Sequence, residues 1–132
     1  MPSYTETREL LAPLEDVWLF IAEPHHFSDW WPGITGVDPD RRGFAPGARW
    51  KVIATKRNIF AGPRSTETLL LIREIEPYER WTWHLLATKL EVEIRLRAVA
   101  ENRTVAWIAL NKGSPATALK RLYDLCQTAA TL

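Results

Sequence analysis

The chain predicts an α+β domain. A meandering antiparallel sheet of about seven strands is interrupted after its first strand by two short helices and closed by a C-terminal helix. Three observations carry this. Apolar residues recur at helical spacing just after residue 13, and that pattern runs into the stop Trp30-Trp31-Pro32-Gly33. From residue 34 to residue 110 they alternate, or cluster in strand-length runs bounded by Pro, Gly, Asn and Asp. Past Ser114 the spacing returns to threes and fours, so helices and strands are segregated along the chain.

Residues 3–11 alternate weakly and end at Ala12-Pro13, which reads as a strand. Leu14, Val17, Trp18, Ile21 and Ala22 fall on one face of a helix over residues 14–23. Pro13 suits the position ahead of it, and Pro24 stops it. Residues 25–31 read as a second short helix, ended by Pro32-Gly33. A brief strand over 34–38 precedes a loop marked by Pro39-Asp40 and Pro46-Gly47. Residues 49–57 put Trp50, Val52 and Ala54 on one face, residues 58–64 read as a loop, and 65–75 carry apolar residues on both faces. After the turn Glu76-Pro77-Tyr78-Glu79, residues 80–86 group Trp81, Trp83 and Leu85. Residues 89–98 alternate most clearly, with Leu90, Val92, Ile94 and Leu96 dry and Glu91, Glu93, Arg95 and Arg97 wet. Glu101-Asn102-Arg103 turns, and residues 104–110 return. Asn102-Arg103-Thr104 has the form of a glycosylation sequon and reads as this hairpin turn. Ser114 caps the last helix, with Pro115 at its first position and Leu119, Leu122, Tyr123 and Cys126 on one face.

At 132 residues the chain reads as one domain, residues 1–132, long enough to bury roughly two-thirds of its unfolded surface. A net charge of +1 points to neither nucleic acid nor an anionic membrane as partner. The basic stretch Arg41, Arg42, Arg49, Lys51, Lys56, Arg57 and Arg64, with no acid among them, reads as a solvated sheet face or a patch that steers an acidic ligand. The single cysteine, Cys126, excludes an internal disulfide and a cysteine-rich zinc site. Without a signal peptide or an apolar run of spanning length, the expected location is the cytoplasm. Seven tryptophans are more than a small tight core usually needs, which points to a large-lined interior or a binding surface, with a Trp-rich packed core as the equal alternative.

Four stretches carry a family resemblance. They are Ala12-Pro13-Leu14-Glu15-Asp16-Val17-Trp18; Phe27-Ser28-Asp29-Trp30-Trp31-Pro32-Gly33-Ile34; Ile72-Arg73-Glu74-Ile75-Glu76-Pro77-Tyr78-Glu79-Arg80-Trp81; and Ala100-Glu101-Asn102-Arg103-Thr104-Val105, where Arg103 replaces the usual glycine. The chain resembles the START-like, or SRPBCC, superfamily, and within it the small polyketide cyclase/dehydrase-type proteins. The resemblance implies a helix-grip fold: an antiparallel sheet wrapped around the C-terminal helix, with a cavity between them for an apolar or amphipathic ligand. Members include cyclases, dehydrases, lipid carriers, hormone receptors and chaperone co-factors, and no shared catalytic motif carries over.

His25 and His26 are adjacent and diverge by ~100° on a helix, His84 is distant, and no metal site is expected. There is no Gly-rich phosphate loop, and no organic cofactor is expected. Cys126 reads as a core residue rather than a nucleophile, and nothing supports its pairing with His84. Acid–base candidates are Asp29, beside the Trp pair at the mouth, and Tyr123 on the closing helix. Their bland readings are a surface acid and a core phenol.

The expected ligand-binding face joins Phe27 and Trp31 from the second helix to Trp50, Val52, Thr68 and Leu70. It continues through Trp81, Trp83, Val92, Ile94 and Trp107, under Leu119, Leu122, Tyr123 and Cys126. Whether the indoles floor an open pocket or fill it stays open. The expected partner is a small hydrophobic, aromatic or polyketide-like molecule, bound by a monomer or homodimer. The alternatives are a cyclase/dehydrase and a non-catalytic interaction module with a filled core.

Overall fold

The computed structural model describes residues 4–58 and 62–131. Strand β1 (Tyr4–Leu10) leads through Ala12-Pro13 into α1 (Leu14–Ala22). Glu15 and Asp16 lie in the first turn of α1, where the helix dipole favours negative charge. Pro24 cannot continue α1 and begins a 3-10 turn, Pro24–His26, that Glu23 caps by accepting from the His25 N–H at 3.2 Å. The predicted second helix thus divides into this turn and a single α-turn, α2 (Phe27–Trp30). Gly33, at φ +81°, reverses the chain after it.

The strands β2 (Ile34–Pro39), β3 (Arg49–Asn58), β4 (Gly62–Glu76), β5 (Arg80–Leu85), β6 (Leu90–Ala100) and β7 (Arg103–Leu110) follow, and α3 (Ala116–Thr131) closes the chain. The sheet has seven strands in the order β1-β7-β6-β5-β4-β3-β2, every pair antiparallel. This is the expected α+β architecture. Ser114 caps α3 as its residue type suggests, its Oγ accepting from the Ala116 N–H at 3.2 Å.

Register decides which side chains share a face. Val92 stands opposite Trp83 and Leu110, Ile94 opposite Trp81 and Ile108, and Leu96 opposite Ala106. These, with Trp50, Val52, Leu70 and Ile72, form the buried inner face. A bulge in β4 sets Arg73 and Glu74 against Thr82 alone, which carries the alternation from Ile72 to Ile75 and bends the strand.

Two expectations are corrected. The loop foreseen over residues 58–64 is a continuation of the β3–β4 ladder, with Asn58 opposite Gly62 and Arg57 opposite Pro63; residues 59–61 lie outside the described residues. Gly62-Pro63 is a local turn signal, and cross-strand pairing with β3 outweighs it. Trp107 is not on the inner face. Both faces of β7 carry apolar residues, so alternation there is ambiguous, and pairing with β6 puts Trp107 opposite Arg95 on the outer face. The Arg95 guanidinium lies 5.2 Å from its ring centroid.

Thr104 is the one buried hydroxyl or charged residue among the described residues, and its Oγ1 donates to the Ala12 carbonyl at 2.9 Å. It ties the start of β7 to the corner between β1 and α1. Thr104→Val keeps the shape and leaves that carbonyl unpaired, so it is expected to lower stability by about 1–2 kcal/mol, while Thr104→Ser loses less. Urea unfolding of the three proteins measures this.

Candidate ligand-binding site

The inner face meets α2 through aromatic rings. Phe27 lies with its ring centroid 5.4 Å from Trp30, 6.1 Å from Trp31, 5.9 Å from Trp50, 6.3 Å from Trp81 and 5.2 Å from Trp83. Most of these pairs are edge-to-face, the arrangement that the ring quadrupole favours. Trp81 and Trp83 fall on one side of β5 because they are two residues apart, and neither has exposed surface. Trp50 is equally buried and donates its indole N–H to the Gly43 carbonyl at 2.7 Å. The indole nitrogens of Trp30, Trp81 and Trp83 have no hydrogen-bond partner among the described residues.

A second feature opens beside this cluster. α1 and α3 enclose an apolar cleft of about 200 Å³ lined by Ala12, Asp16, Val17, Phe20, Leu122, Leu125 and Cys126. Val17 and Leu122 belong at once to the cleft wall and to the core that contains the indoles. Asp16 is its one charged lining residue. Burial, and then the Asp16 carboxylate, push the Cys126 thiol above its ordinary pKa, so it stays protonated and slow to react.

With this geometry in place, comparison with known proteins assigns the family. The sequence profile described as polyketide cyclase / dehydrase and lipid transport matches residues 1–126. The chain belongs to this family. No curated protein matches it in sequence. Among solved structures it is similar to a protein from Nitrosomonas europaea, with a TM-score of 0.71 and 16% identity over 97% of this chain and 96% of that one. The AHSA1-like protein from Aeromonas hydrophila gives 0.69 and 14%, over 97% and 95%. Ara h 8.0201 gives 0.67 and 11%, over 95% and 97%. At these identities the likeness shows the fold, which is the SRPBCC helix-grip.

In this family member the predicted site residues separate into groups. Phe27, Trp31, Trp50, Trp81 and Trp83 meet in the aromatic cluster, and Val52, Leu70, Val92 and Ile94 share its buried face. Leu119 and Leu122 are buried on α3, with Cys126 partly so. Thr68 is only half-buried, and its Oγ1 accepts from the Ala87 N–H at 3.1 Å. Tyr123 packs under the Arg8 guanidinium, 4.5 Å from the ring centroid, and its hydroxyl accepts from Gln127 Nε2 at 3.1 Å. Asp29 is exposed and pairs with His26 Nδ1 at 3.3 Å. Trp107 lies across the sheet from the cluster.

Sequence reasoning missed Ala12, Asp16, Phe20 and Leu125 as lining residues. The available signal was Leu19 and Phe20 on a side of α1 that amphipathic spacing leaves for solvent. His84 and Cys126 do not meet. His84 is on the outer face of β5, between Arg73 Nη1 at 3.1 Å and Glu91 Oε1 at 3.3 Å, whereas α3 packs on the inner side against Arg8. Burial first, then Arg73, holds the His84 pKa below its ordinary value, with Glu91 opposing. Among the described residues no group of three or more His, Cys, Asp or Glu could hold a metal ion.

Behind the indoles, the outer face carries an ion cluster. Arg80 reaches Glu74 at 2.6 Å and Glu93 at 3.1 Å, and Arg95 also pairs with Glu93. Burial raises the Glu93 pKa, but hydrogen bonds and charge from Arg95 and Arg80 outweigh it, and the folded value is lowered. A lowered folded pKa means stability that is present above the ordinary glutamate value, about 4.3, and is lost as pH falls through the folded value. Glu93→Gln is therefore expected to lose less stability than the native chain between about pH 7 and about pH 3, by urea denaturation at each pH.

Proposed function

We propose that the protein binds a small hydrophobic or aromatic molecule, polyketide- or lipid-like, in a cleft between α1 and the C-terminal helix rather than between the sheet and that helix. The observation that carries this reading is the apolar cleft between α1 and α3, whose inner wall, Val17 and Leu122, is continuous with the indole-rich core. A pocket with mostly apolar walls and few polar groups is the usual form of a small-molecule site. The family description supports the same class of ligand.

Binding is favoured over cyclase or dehydrase chemistry. Acid–base catalysis needs a titratable group within hydrogen-bond reach of the reacting atoms. Asp29 is at the surface, and the Tyr123 hydroxyl is engaged by Gln127. The inner face offers hydrocarbon and indole.

The test is native mass spectrometry of the purified protein, with calorimetric titration by a panel of fatty acids, sterols and aromatic polyketides. Saturable binding by one class is expected. Leu125→Trp, at a half-exposed position on the cleft wall, is expected to weaken that binding about tenfold or more, a loss of about 1.4 kcal/mol, while leaving stability within about 1 kcal/mol. Ligand should also slow alkylation of Cys126. No saturable binding, with Cys126 reactivity unchanged by every compound, refutes the reading and favours a filled core with a protein partner.

A further inference from the structure

The cleft between α1 and α3 is apolar except at one end. Val17 and Phe20 from α1 line it with Leu122, Leu125 and Cys126 from α3, and Asp16 stands at its rim. Asp16 and Phe20 are four residues apart, so they lie one turn apart on the same face of α1. Asp16 is exposed, and its carboxylate has no hydrogen bond or ion pair among the described residues. A carboxylate set against hydrocarbon loses hydration on that side with no partner to replace it.

The helix alone does not account for this acid. The first turn of α1 favours negative charge, and Glu15 supplies it from a position outside the cleft wall. Asp16 adds a second charge, and adds it where the wall is otherwise apolar. Its field reaches into the cleft: burial first and then Asp16 raise the Cys126 thiol, and no basic group opposes them. On α3, Lys120 is held by Asp124 at 2.7 Å, and Arg121 is not part of the wall. The whole chain carries a net charge of +1, so this negative point is local.

We propose that the cleft selects a short apolar molecule that ends in an ammonium group, with its hydrocarbon between Phe20 and Leu122 and its ammonium at the Asp16 carboxylate. This rests on the ligand-binding reading above and names its ligand class. The cleft volume of about 200 Å³ is small for a ligand site. At ~30 Å³ for a water-sized group it holds about six or seven such groups, a short chain or one substituted ring. An ammonium brings three donors and no acceptor, which matches an ionised carboxylate, an acceptor only. A hydroxyl donates one bond without the charge. A carboxylate head, as on a fatty acid, meets Asp16 as a like charge and is disfavoured. The pair lies at the rim, so its gain is modest and falls as salt rises.

The experiment titrates the full chain at neutral pH and low salt with hexylamine, hexanol and hexanoate, which share one chain and differ in the head group. Backbone amide resonances of α1 and α3 are followed in proton–nitrogen correlation spectra. Hexylamine is expected to bind about three- to fivefold more tightly than hexanol, and hexanoate more weakly than either. Hexylamine should also slow alkylation of Cys126 by iodoacetamide. Asp16→Asn should lower hexylamine to the affinity of hexanol and leave hexanol unchanged, while Asp16→Glu keeps the preference. Glu15→Gln should keep it too, which separates Asp16 from the general charge of the helix end. Equal affinities, tightest binding by hexanoate, or a preference that survives Asp16→Asn overturn this proposal alone. Binding of a sterol or an aromatic polyketide with none of the three compounds does the same. No binding by any compound of either set overturns the ligand-binding reading with it.

Discussion

The packing of Phe27 among five tryptophans is the contact on which the rest of the structure depends. α2 is one turn long, and a helix of that length has no stability of its own in water. It exists because Phe27 and Trp30 are fully buried against the sheet. Aromatic pairs of this geometry contribute about 0.5–1.5 kcal/mol each beyond their buried area. The cluster joins β3 and β5 to the segment between β1 and β2, and so draws residues distant in sequence onto one face. With α2 seated there, α1 and α3 are left to face each other, and the cleft between them is the result.

The two faces of the sheet do different physical work. Inside, shape and dispersion dominate, and polar groups are few. Outside, β4, β5 and β6 carry alternating charge in which Arg80 bridges Glu74 and Glu93 while Arg95 shares Glu93. Exposed pairs of this kind contribute little singly, but Glu93 and Arg80 are both mostly buried within the cluster and are screened less. The outer cluster also accounts for Trp107, an indole that serves as a platform for Arg95 rather than as core.

Legibility in the sequence followed how strictly each segment alternates. β6, with Leu90, Val92, Ile94 and Leu96 set against charged residues, could be read directly, and so could the caps at Pro13, Pro24 and Ser114. The family resemblance then supplied the helix-grip, a sheet wrapped around the C-terminal helix, while the strand order comes from the structure. β7 could not be read by parity, since Val105, Ala106, Trp107 and Ile108 are apolar in succession and only pairing with β6 chooses between them. The β3–β4 hairpin was obscured by Gly62-Pro63, a local turn signal overridden by cross-strand partners. Most of the indole cluster was foreseen because its members are large and lie on one strand face. The α1–α3 cleft was not, because it depends on how two helices approach each other, which neither helix pattern encodes.

The sheet is open, so β1 and β2 each have a free edge. An unpaired strand edge is a template onto which another chain can add. β2 resists this in its own backbone. Its ladder with β3 slips between Ile34 and Gly36, and it ends at Pro39, which has no N–H to offer. β1 lies against α3. The irregularity of β2, unremarkable as part of a binding fold, guards the molecule against growing by strand addition.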